Sequence, residues 1–306
     1  MTGVTLIYIF SEIFIIIIIV LIFQKMAKKV SIELPDKIVK VLQKDVQNGK
    51  ARTIEEALVR VIEKALAMRK VKKAVILAGG KGTRMRPFTY EIPKPLIPVQ
   101  GKPLVQHILD LLRKYDIRDV IFSIGYKGEK IKEYFSNGAK FGFNITYVEE
   151  EEELGTAGPL RLMEDLLDGT FLMFNGDILT NLDLGEFILY HNNHEGIATI
   201  ALTYVEDPKR YGLVKISEDG KILSFMEKPQ EKDILAGKSL INAGIYVMEP
   251  EIINYVPNGY SMLERDVFPK LAEEGKLYGY EFVAQWFDTG THEAYERAIK
   301  EWKGIK

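Results

Sequence analysis

The chain has 306 residues, enough for two domains, and its composition is globular, with 47% hydrophobic and 27% charged residues and a net charge of −2. It contains no cysteine, which excludes disulfides and thiolate metal sites. The charge is unevenly distributed: Met26 to Lys73 carries 13 Lys and Arg against 6 Asp and Glu, and the rest of the chain beyond it carries 27 against 36. A basic segment therefore precedes an acidic one, and we expect the two to have different roles.

The first predicted element is an apolar segment from Leu6 to Phe23 with five consecutive isoleucines. As a helix it would span roughly 27 Å, barely the thickness of a bilayer core. Glu12 lies inside it, at a cost of about 2.5–3.5 kcal/mol near the bilayer centre. The lysines that follow would keep the rest of the chain in the cytoplasm. Residues 1–25 are predicted to be either a hydrophobic N-terminal helix that anchors the protein to the membrane or a mis-assigned start upstream of Met26.

Residues 26–72 are predicted to form a small module with one strand and two helices. Apolar and polar residues alternate over residues 29–34, the period of a half-buried strand. A helix is predicted to begin just after Pro35 and to end near Gly49, and a capping box at Thr53 opens a second amphipathic helix. So short a segment buries little core alone and requires a partner.

This pattern resembles the ribbon-helix-helix fold, which implies that two chains pair their strands and form a homodimer or higher oligomer through residues 26–72. In DNA-binding members the outward strand residues enter the major groove. One of these residues would be Glu33, whose carboxylate a polyanion repels. The sequence therefore favours dimerisation over DNA binding as the role of this module, with DNA as the alternative partner.

Strand-like and helix-like stretches alternate from Lys73 onwards, and residues 73–306 are predicted to be one α/β domain. The alternation predicts a Rossmann-like, mostly parallel sheet with helices on both faces. Ligands bind such sheets beyond the carboxyl ends of the strands. The predicted strands are Lys73–Leu77, Val120–Ile124, Ile145–Val148 and Phe171–Phe174, and the predicted helices are Pro103–Tyr115, Glu129–Phe135 and Ala157–Leu167.

The first of these strands leads into a glycine-rich loop, LAGGKGTRMRPFT, from Leu77 to Thr89. Glycines allow backbone N–H groups to converge on one anion, and Arg84 adds fixed positive charge. The loop is not a P-loop, because Lys81 is followed by glycine, and it is not a dinucleotide fingerprint, because Met85 stands where glycine is required. The pattern therefore indicates another kind of phosphate loop, with a plain strand-to-helix turn as the alternative.

The string G-G-x-G-T-R-M-R-P resembles the signature of the sugar-phosphate nucleotidylyltransferases, which make nucleotide sugars from an NTP and a sugar 1-phosphate. Further motifs of that family follow in the same order, and together they make the resemblance specific over about Lys73 to Trp302. They contain Lys94 between two prolines, Asp177 at the end of F-N-G-D, Glu227 and Lys228 in E-K-P, Asn242 in I-N-A-G-I-Y, and Asp288 in W-F-D-T-G.

The resemblance implies that residues 73–306 are a catalytic domain. It implies that Arg84 and Lys94 are the catalytic cations that hold the triphosphate, and that Glu227 and Lys228 bind the sugar 1-phosphate. The predicted substrate-binding residues are Gly79, Gly80, Gly82, Thr83, Glu150, Gly155, Thr156, Gly212, Glu227, Lys228 and Asn242.

Asp177 and Asp288 are the predicted metal ligands. Asp177 ends a strand of the buried type, and a carboxylate there is well placed for a divalent ion that bridges phosphates. Together the two carboxylates fit one Mg²⁺ site, although a turn or helix-capping role is the alternative for Asp177. The four histidines are scattered and are expected to be solvated side chains rather than metal ligands: His107, His191, His194 and His292.

The stretch Leu154–Pro159 resembles the nucleobase loop of the family, and Glu150 precedes it where thymidylyl- and uridylyltransferases commonly have glutamine. A carboxylate can accept hydrogen bonds from both N1–H and the 2-amino group of guanine, which favours GTP and hence mannose 1-phosphate. A solvated acidic loop over residues 149–153 is the alternative. The stretch 287–292 is similar to the thymidylyltransferase branch, so the choice of base stays open.

The predicted reaction is in-line attack of a sugar 1-phosphate oxygen on the α-phosphorus of the NTP, with release of pyrophosphate and Mg²⁺ as the cofactor. The enzyme is expected in the cytoplasm, with or without a membrane anchor. Glucose-1-phosphate thymidylyl- or uridylyltransferase is the first alternative to mannose-1-phosphate guanylyltransferase. A ribbon-helix-helix DNA-binding regulator with a nucleotide-sugar-sensing domain is the second, and the presence of both predicted cations and both predicted carboxylates argues against it.

Overall fold

A computed structural model describes residues 32–234 and 237–305. The predicted membrane segment Leu6–Phe23 lies outside the described residues. Within the described residues, no helix is both long and apolar enough to cross a membrane. The chain divides into two compact units with the boundary between Val59 and Arg60. The boundary predicted between residues 72 and 73 stays a prediction.

The first unit contains the two helices predicted for it, α1 (Asp36–Gln47) and the start of α2 (Ile54–Met68). Leu42 is buried with Ala51 and Ala57 in a small apolar core. The Thr53 hydroxyl accepts a hydrogen bond from the backbone N–H of Glu56 at 3.1 Å, which confirms the predicted cap of α2. Part of the predicted ribbon strand lies outside the described residues, and the described residues 32–34 form no strand, so the ribbon is not confirmed.

The second unit contains thirteen strands and seven further helices within the described residues. The strands are β1 (Lys73–Ala78), β2 (Pro98–Val99), β3 (Lys102–Pro103), β4 (Asp119–Ile124), β5 (Asn144–Glu149), β6 (Phe171–Asn175), β7 (Ile178–Thr180), β8 (Ala198–Val205), β9 (Gly212–Ile216), β10 (Ile222–Glu227), β11 (Ser239–Met248), β12 (Leu277–Glu281) and β13 (Trp286–Asp288). The helices are α3 (Phe88–Glu91), α4 (Leu104–Lys114), α5 (Gly128–Phe135), α6 (Pro159–Leu162), α7 (Leu184–Asn192), α8 (Phe268–Glu273) and α9 (His292–Glu301).

The central sheet is mixed, with a parallel half and a largely antiparallel half. Strands β5, β4, β1 and β6 are parallel neighbours in that order, which confirms the parallel core that the sequence predicts. Beyond β6 the chain adds β11 antiparallel, and β11 pairs in turn with β8 and β9. The hairpin β9–β10 lies at the end of this strand order opposite to β5. The predicted helix Ala157–Leu167 is only the short α6 and a 3-10 turn.

Helices cover both faces of this sheet, as predicted. Side chains of β1 alternate between two apolar cores: Ile76 packs on the face covered by α4, α5 and α7, and Val75 packs on the face covered by α6 and α8. Four side chains of β1 lie in one or the other core, and each is at most 2% exposed: Ala74, Val75, Ile76 and Ala78. The strands are therefore rigid supports for the loops at their carboxyl ends.

A third apolar core lies under those loops. Met85 of the glycine-rich loop is fully buried in it together with Ile97 and Leu179, and Phe287 joins them from β13. Four segments that are distant in sequence are thus fastened to one another by side-chain packing. This packing explains why methionine occupies the position where a dinucleotide fingerprint has glycine.

Candidate active site

The glycine-rich loop begins where β1 ends, and two of its glycines are required by close approach. A Cβ atom on Gly79 would lie 2.5 Å from Oε1 of Glu150, and a Cβ on Gly82, which has a φ of +59°, would lie 2.8 Å from Cγ2 of Thr89. A Cβ on Gly80 would meet no atom within 4 Å. Gly80 therefore faces open space, as a loop that receives a ligand requires.

That space is a cavity of about 500 Å³, here named the glycine-loop cavity. Arg84 and Lys94 line it together with Asp177, so two cations and a carboxylate face one volume. The sequence-predicted residues that line it are Gly79, Gly80, Gly82, Thr83, Arg84, Lys94, Glu150, Gly155, Thr156 and Asp177, and residues not predicted include Lys81, Glu153, Asn175, Tyr260 and Met262.

Lys94 is presented by a 3-10 turn between prolines and is buried, with an exposed fraction of 8%. Its ammonium group donates a hydrogen bond to Oδ2 of Asp177 and forms an ion pair with that carboxylate. Burial raises the pKa of Asp177, but the charges of Lys94 and Arg84 outweigh it and hold the pKa below its usual value. Asp177 is therefore ionised and tied to the cation that the sequence assigns to phosphate.

Asp288 is brought beside Asp177 by the short antiparallel pair of β7 and β13, in which it lies opposite Ile178. Thr289 reinforces the pairing, because its backbone N–H and its hydroxyl donate to the carbonyl oxygen of Asp177 at 3.1 and 2.8 Å. Burial and the negative charge of Asp177 raise the pKa of Asp288. Two carboxylates from distant segments thus lie close enough to repel each other. Such proximity is typical of a carboxylate pair that binds one cation.

The donor set here suits a hard divalent cation. Oδ1 of Asn175 is buried without a hydrogen-bond partner and lines the same cavity as Asp177. Two carboxylates and an amide oxygen are oxygen ligands of the type that such ions prefer. No group of three or more His, Asp or Glu that could hold a metal occurs among the described residues, so a cation would complete its shell with phosphate or water.

A second cavity, here named the hairpin cavity, has a volume of about 130 Å³ and adjoins the first, because Arg84 and Asp177 line both. Gly212 and Glu227 face each other at the open end of the β9–β10 hairpin. The residues that line it are Arg84, Asn175, Asp177, Ile178, Arg210, Tyr211, Gly212, Glu227, Asn242, Ala243, Gly244, Glu264, Trp286 and Asp288.

Two predicted binding residues are placed differently from the others. Lys228 is exposed and lines a neighbouring cavity of about 460 Å³ rather than the hairpin cavity. Asn242 lines the hairpin cavity, but its Oδ1 accepts from the N–H of Gly244 at 2.8 Å and its Nδ2 donates to the hydroxyl of Tyr246 at 2.9 Å. Asn242 therefore stabilises the local structure through these two hydrogen bonds as well as lining the cavity.

Glu150 lines the glycine-loop cavity with its carboxylate anchored from two sides. Oε1 accepts a hydrogen bond from the Ser123 hydroxyl at 2.7 Å, and Oε2 accepts one from the N–H of Leu154 at 3.1 Å. Burial raises the pKa of Glu150, and these two hydrogen bonds oppose the shift. Each oxygen retains a further lone pair, so the carboxylate can still accept from a ligand.

The structure also reveals site residues that lie outside the motifs recognised in the sequence. Glu264 lies in a π-helical turn and is buried in the wall of the hairpin cavity. In the sequence it is the first of three consecutive charged residues, Glu264 to Asp266, which gives no local signal that it is buried. Arg210 and Tyr211 precede the hairpin, and the backbone carbonyl of Tyr211 accepts from the N–H of Lys228 at 3.0 Å.

The expectation that the histidines are solvated is wrong for two of them, and a third, His194, is half-buried. His191 has an exposed fraction of 2% and bonds Thr199 and Glu249, at 2.7 and 3.0 Å. His107 has an exposed fraction of 7% and bonds the carbonyl oxygen of Val99. Buried imidazoles of this kind are tolerated because both ring nitrogens have partners, which single-sequence reasoning does not reveal.

Known proteins are similar to this chain in sequence and in structure. The sequence model of the family described as "Nucleotidyl transferase" matches residues 73–303. A protein of Synechocystis sp. named UTP–glucose-1-phosphate uridylyltransferase is 38% identical over 244 residues, which are 74% of this chain and 62% of the relative. The mannose-1-phosphate guanylyltransferase catalytic subunit beta of Drosophila pseudoobscura is 38% identical over 222 residues, 71% of this chain and 59% of the relative.

The crystal structure of HddC from Yersinia pseudotuberculosis complexed with GMP-PN is similar, with a TM-score of 0.65 and 29% identity. The similarity covers 76% of this chain and 100% of HddC. The chain spans about three fifths of the length of the curated relatives described above.

Proposed function

Because the chain belongs to the nucleotidyl transferase family, we propose that it transfers a nucleoside monophosphate from an NTP to a sugar 1-phosphate, giving a nucleotide sugar and pyrophosphate. The observation that carries the proposal is that Arg84 and Asp177 line both the glycine-loop cavity and the hairpin cavity. Two cavities that share a cation and a carboxylate suit two phosphate-bearing substrates that react where the cavities meet.

In this proposal the NTP occupies the glycine-loop cavity. Backbone N–H groups of the loop, Arg84 and Lys94 bind its phosphates, and Lys94 exchanges the carboxylate of Asp177 for phosphate. The acceptor phosphate oxygen attacks the α-phosphorus in line, and the bond to pyrophosphate breaks. The acceptor already carries the attacking charge, so no protein nucleophile is required, and catalysis consists of positioning and charge stabilisation.

Asp177 and Asp288 are the residues that would hold Mg²⁺, which when bound neutralises phosphate charge. The supporting observations are their adjacency through β7 and β13 and the orphaned Oδ1 of Asn175. The acceptor sugar would bind in the hairpin cavity, where Glu227 can accept hydrogen bonds from its hydroxyls. The exposed ammonium of Lys228 in the adjoining cavity would attract the acceptor phosphate.

For the substrates we favour GTP and mannose 1-phosphate. The supporting observations are the guanylyltransferase name of the Drosophila pseudoobscura relative, the GMP-PN in the HddC complex, and a carboxylate rather than an amide at Glu150. UTP and glucose 1-phosphate are the second candidate pair, favoured by the uridylyltransferase name of the Synechocystis relative, whose identity is equally high.

For residues 26–72 we propose dimerisation, which the exposed apolar side chains of Val59, Ile62 and Leu66 on α2 support. Ile62→Glu is expected to convert the dimer to a monomer in sedimentation velocity, and a wild-type monomer at micromolar concentration would refute the proposal.

One panel of assays tests the reaction and its substrates together. Pyrophosphate release is measured with four NTPs against mannose, glucose and other sugar 1-phosphates at fixed Mg²⁺. GTP with mannose 1-phosphate is expected to give the highest kcat/KM. No pyrophosphate from any pair would refute the proposed reaction, and a preference for UTP with glucose 1-phosphate would establish the second candidate.

A further inference from the structure

One hydrogen bond links side chains that line different cavities. Thr156 lines the glycine-loop cavity, and Glu264 lines the hairpin cavity. The Thr156 hydroxyl donates to Oε2 of Glu264 at 2.5 Å and accepts from the backbone N–H of Leu263 at 2.9 Å. The hydroxyl therefore uses its single donor and one of its two acceptor lone pairs on the segment that carries Glu264, and one lone pair remains to accept from a ligand.

The backbones around these two residues are joined as well. The N–H of Ser261 donates to the carbonyl oxygen of Leu154, and the N–H of Ala157 donates to the carbonyl oxygen of Ser261, each at 3.0 Å. A Cβ on Gly155 would lie 2.4 Å from the same Ser261 oxygen. Because the two backbones are in direct contact, neither can shift without the other. The loop at residues 154–158 and the segment at 261–264 must therefore move together.

Glu264 carries this connection on to the wall of the hairpin cavity. It is buried, and burial together with the neighbouring Glu264 carboxylate raises the pKa of the hydroxyl of the fully buried Tyr246. That hydroxyl in turn accepts from Nδ2 of Asn242, which lines the hairpin cavity. A hydrogen bond thus joins Thr156 to Glu264, and Glu264 lines the hairpin cavity together with Asn242 and Glu227.

We propose that Glu264 is a positioning residue that couples the two substrate cavities, so that a nucleotide bound against Thr156 orders the wall that receives the sugar phosphate. The inference rests on the proposed function for the identity of the two substrates. The coupling itself rests on the Thr156–Glu264 bond and the shared backbone contacts.

The test uses cross-effects between the cavities. Thr156→Val keeps the shape of the side chain but removes its hydroxyl, and it is expected to raise the KM for the sugar 1-phosphate roughly fivefold or more with a smaller change in kcat. Glu264→Met removes the acceptor of the Thr156 hydroxyl at similar volume and is expected to raise the KM for the NTP similarly. The double variant is expected to be no worse than the poorer single variant, since both remove one interaction.

Two further variants separate coupling from loss of stability. Thr156→Ser retains the hydroxyl and is expected to restore both KM values to within about twofold of wild type. Thr170→Val breaks a matched threonine–carboxylate bond, to Glu249 at 2.9 Å, away from both cavities, and is expected to leave both KM values unchanged. If Thr156→Val and Glu264→Met each alter the KM of the substrate in their own cavity only, and their effects multiply, the coupling is refuted.

Hydrogen exchange of the full chain reports the coupling independently of turnover. Saturating NTP with Mg²⁺ is expected to protect residues 261–268 in the wild type, whereas in Thr156→Val protection stays confined to residues 79–86 and 154–158. Equal protection of residues 261–268 in both proteins would refute the inference. A wild-type protein that shows this pattern but releases no pyrophosphate would refute the proposed function alone.

Discussion

The ammonium group of Lys94 forms an ion pair with the carboxylate of Asp177, although 83 positions separate them in sequence. Lys94 is buried, and a buried cation without a partner is strongly unfavourable, so the pair stabilises the loop that holds the lysine. The same two groups are the predicted ligands of phosphate and metal. We therefore expect substrate binding to exchange their mutual contact for contacts with phosphate and a cation.

Asp177→Asn is expected to lower pyrophosphate release roughly 100-fold or more at limiting Mg²⁺, because it removes a metal-binding carboxylate and leaves Lys94 with a neutral partner. The measurement is the initial rate against Mg²⁺ concentration. Asp168→Asn is the matched control, since Asp168 pairs with Lys73 at 2.6 Å on the surface. Full activity of Asp177→Asn at limiting Mg²⁺ would contradict the assignment.

Gly80→Ala and Gly82→Ala are expected to differ in their effect on stability, although both are expected to weaken NTP binding. A methyl group on Gly80 meets no protein atom within 4 Å, so it should raise the KM for the NTP without changing Tm. A methyl group on Gly82 meets Thr89 at 2.8 Å on a left-handed backbone and should lower stability by about 1–2 kcal/mol as well. Thermal unfolding and kinetics check both, and an unchanged KM for Gly80→Ala would remove it from the binding site.

Glu150→Gln is expected to reduce the ratio of kcat/KM for GTP to that for UTP about tenfold, since an amide offers one acceptor atom where the carboxylate offers two. Competition between the two nucleotides in one reaction measures the ratio directly. Glu152→Gln changes an exposed neighbour in the same loop and serves as the control. A ratio that does not change in Glu150→Gln would move base selection to other residues.

Stability is expected to fall on mild acidification because of His194. Burial, and the neighbouring His191, lower the pKa of His194 to about 4. Between these two pKa values the unfolded chain, whose imidazole has an ordinary pKa near 6.5, binds a proton, whereas the folded imidazole stays neutral. The contribution of His194 to the free energy of unfolding is fully present above pH ~6.5. It declines as the pH falls towards about 4, by about 1–2 kcal/mol over the first two pH units below 6.5.

Urea unfolding at pH 7.5, 6 and 5 measures this decline. His194→Gln removes the titration and is expected to flatten the pH dependence over that interval. An equally steep decline in His194→Gln would show that groups other than His194 carry the effect.

Local patterns in the sequence determine those parts of the protein that depend on neighbouring residues. The β1 strand and the glycine-rich loop follow from apolar period and glycine content, and the structure has the strand where it is expected. The prolines around Lys94 favour an extended backbone, whereas the structure has a 3-10 turn over Lys94–Leu96. Asp177 and Asp288 each end or interrupt a short apolar strand, which is a local signal too. Their adjacency depends on the antiparallel pair of β7 and β13, which lies outside the central sheet, and the sequence indicated it only through the family resemblance.

Contacts between distant segments were decided by the tertiary structure. The antiparallel half of the sheet depends on β11 pairing with three strands at once, and no local period encodes that choice. Burial of His191 and the anchoring of Glu150 by Ser123 likewise arise from hydrogen-bond partners that become available only in the folded chain. The bond between Thr156 and Glu264 spans 108 positions, and packing alone brings those two polar groups within reach.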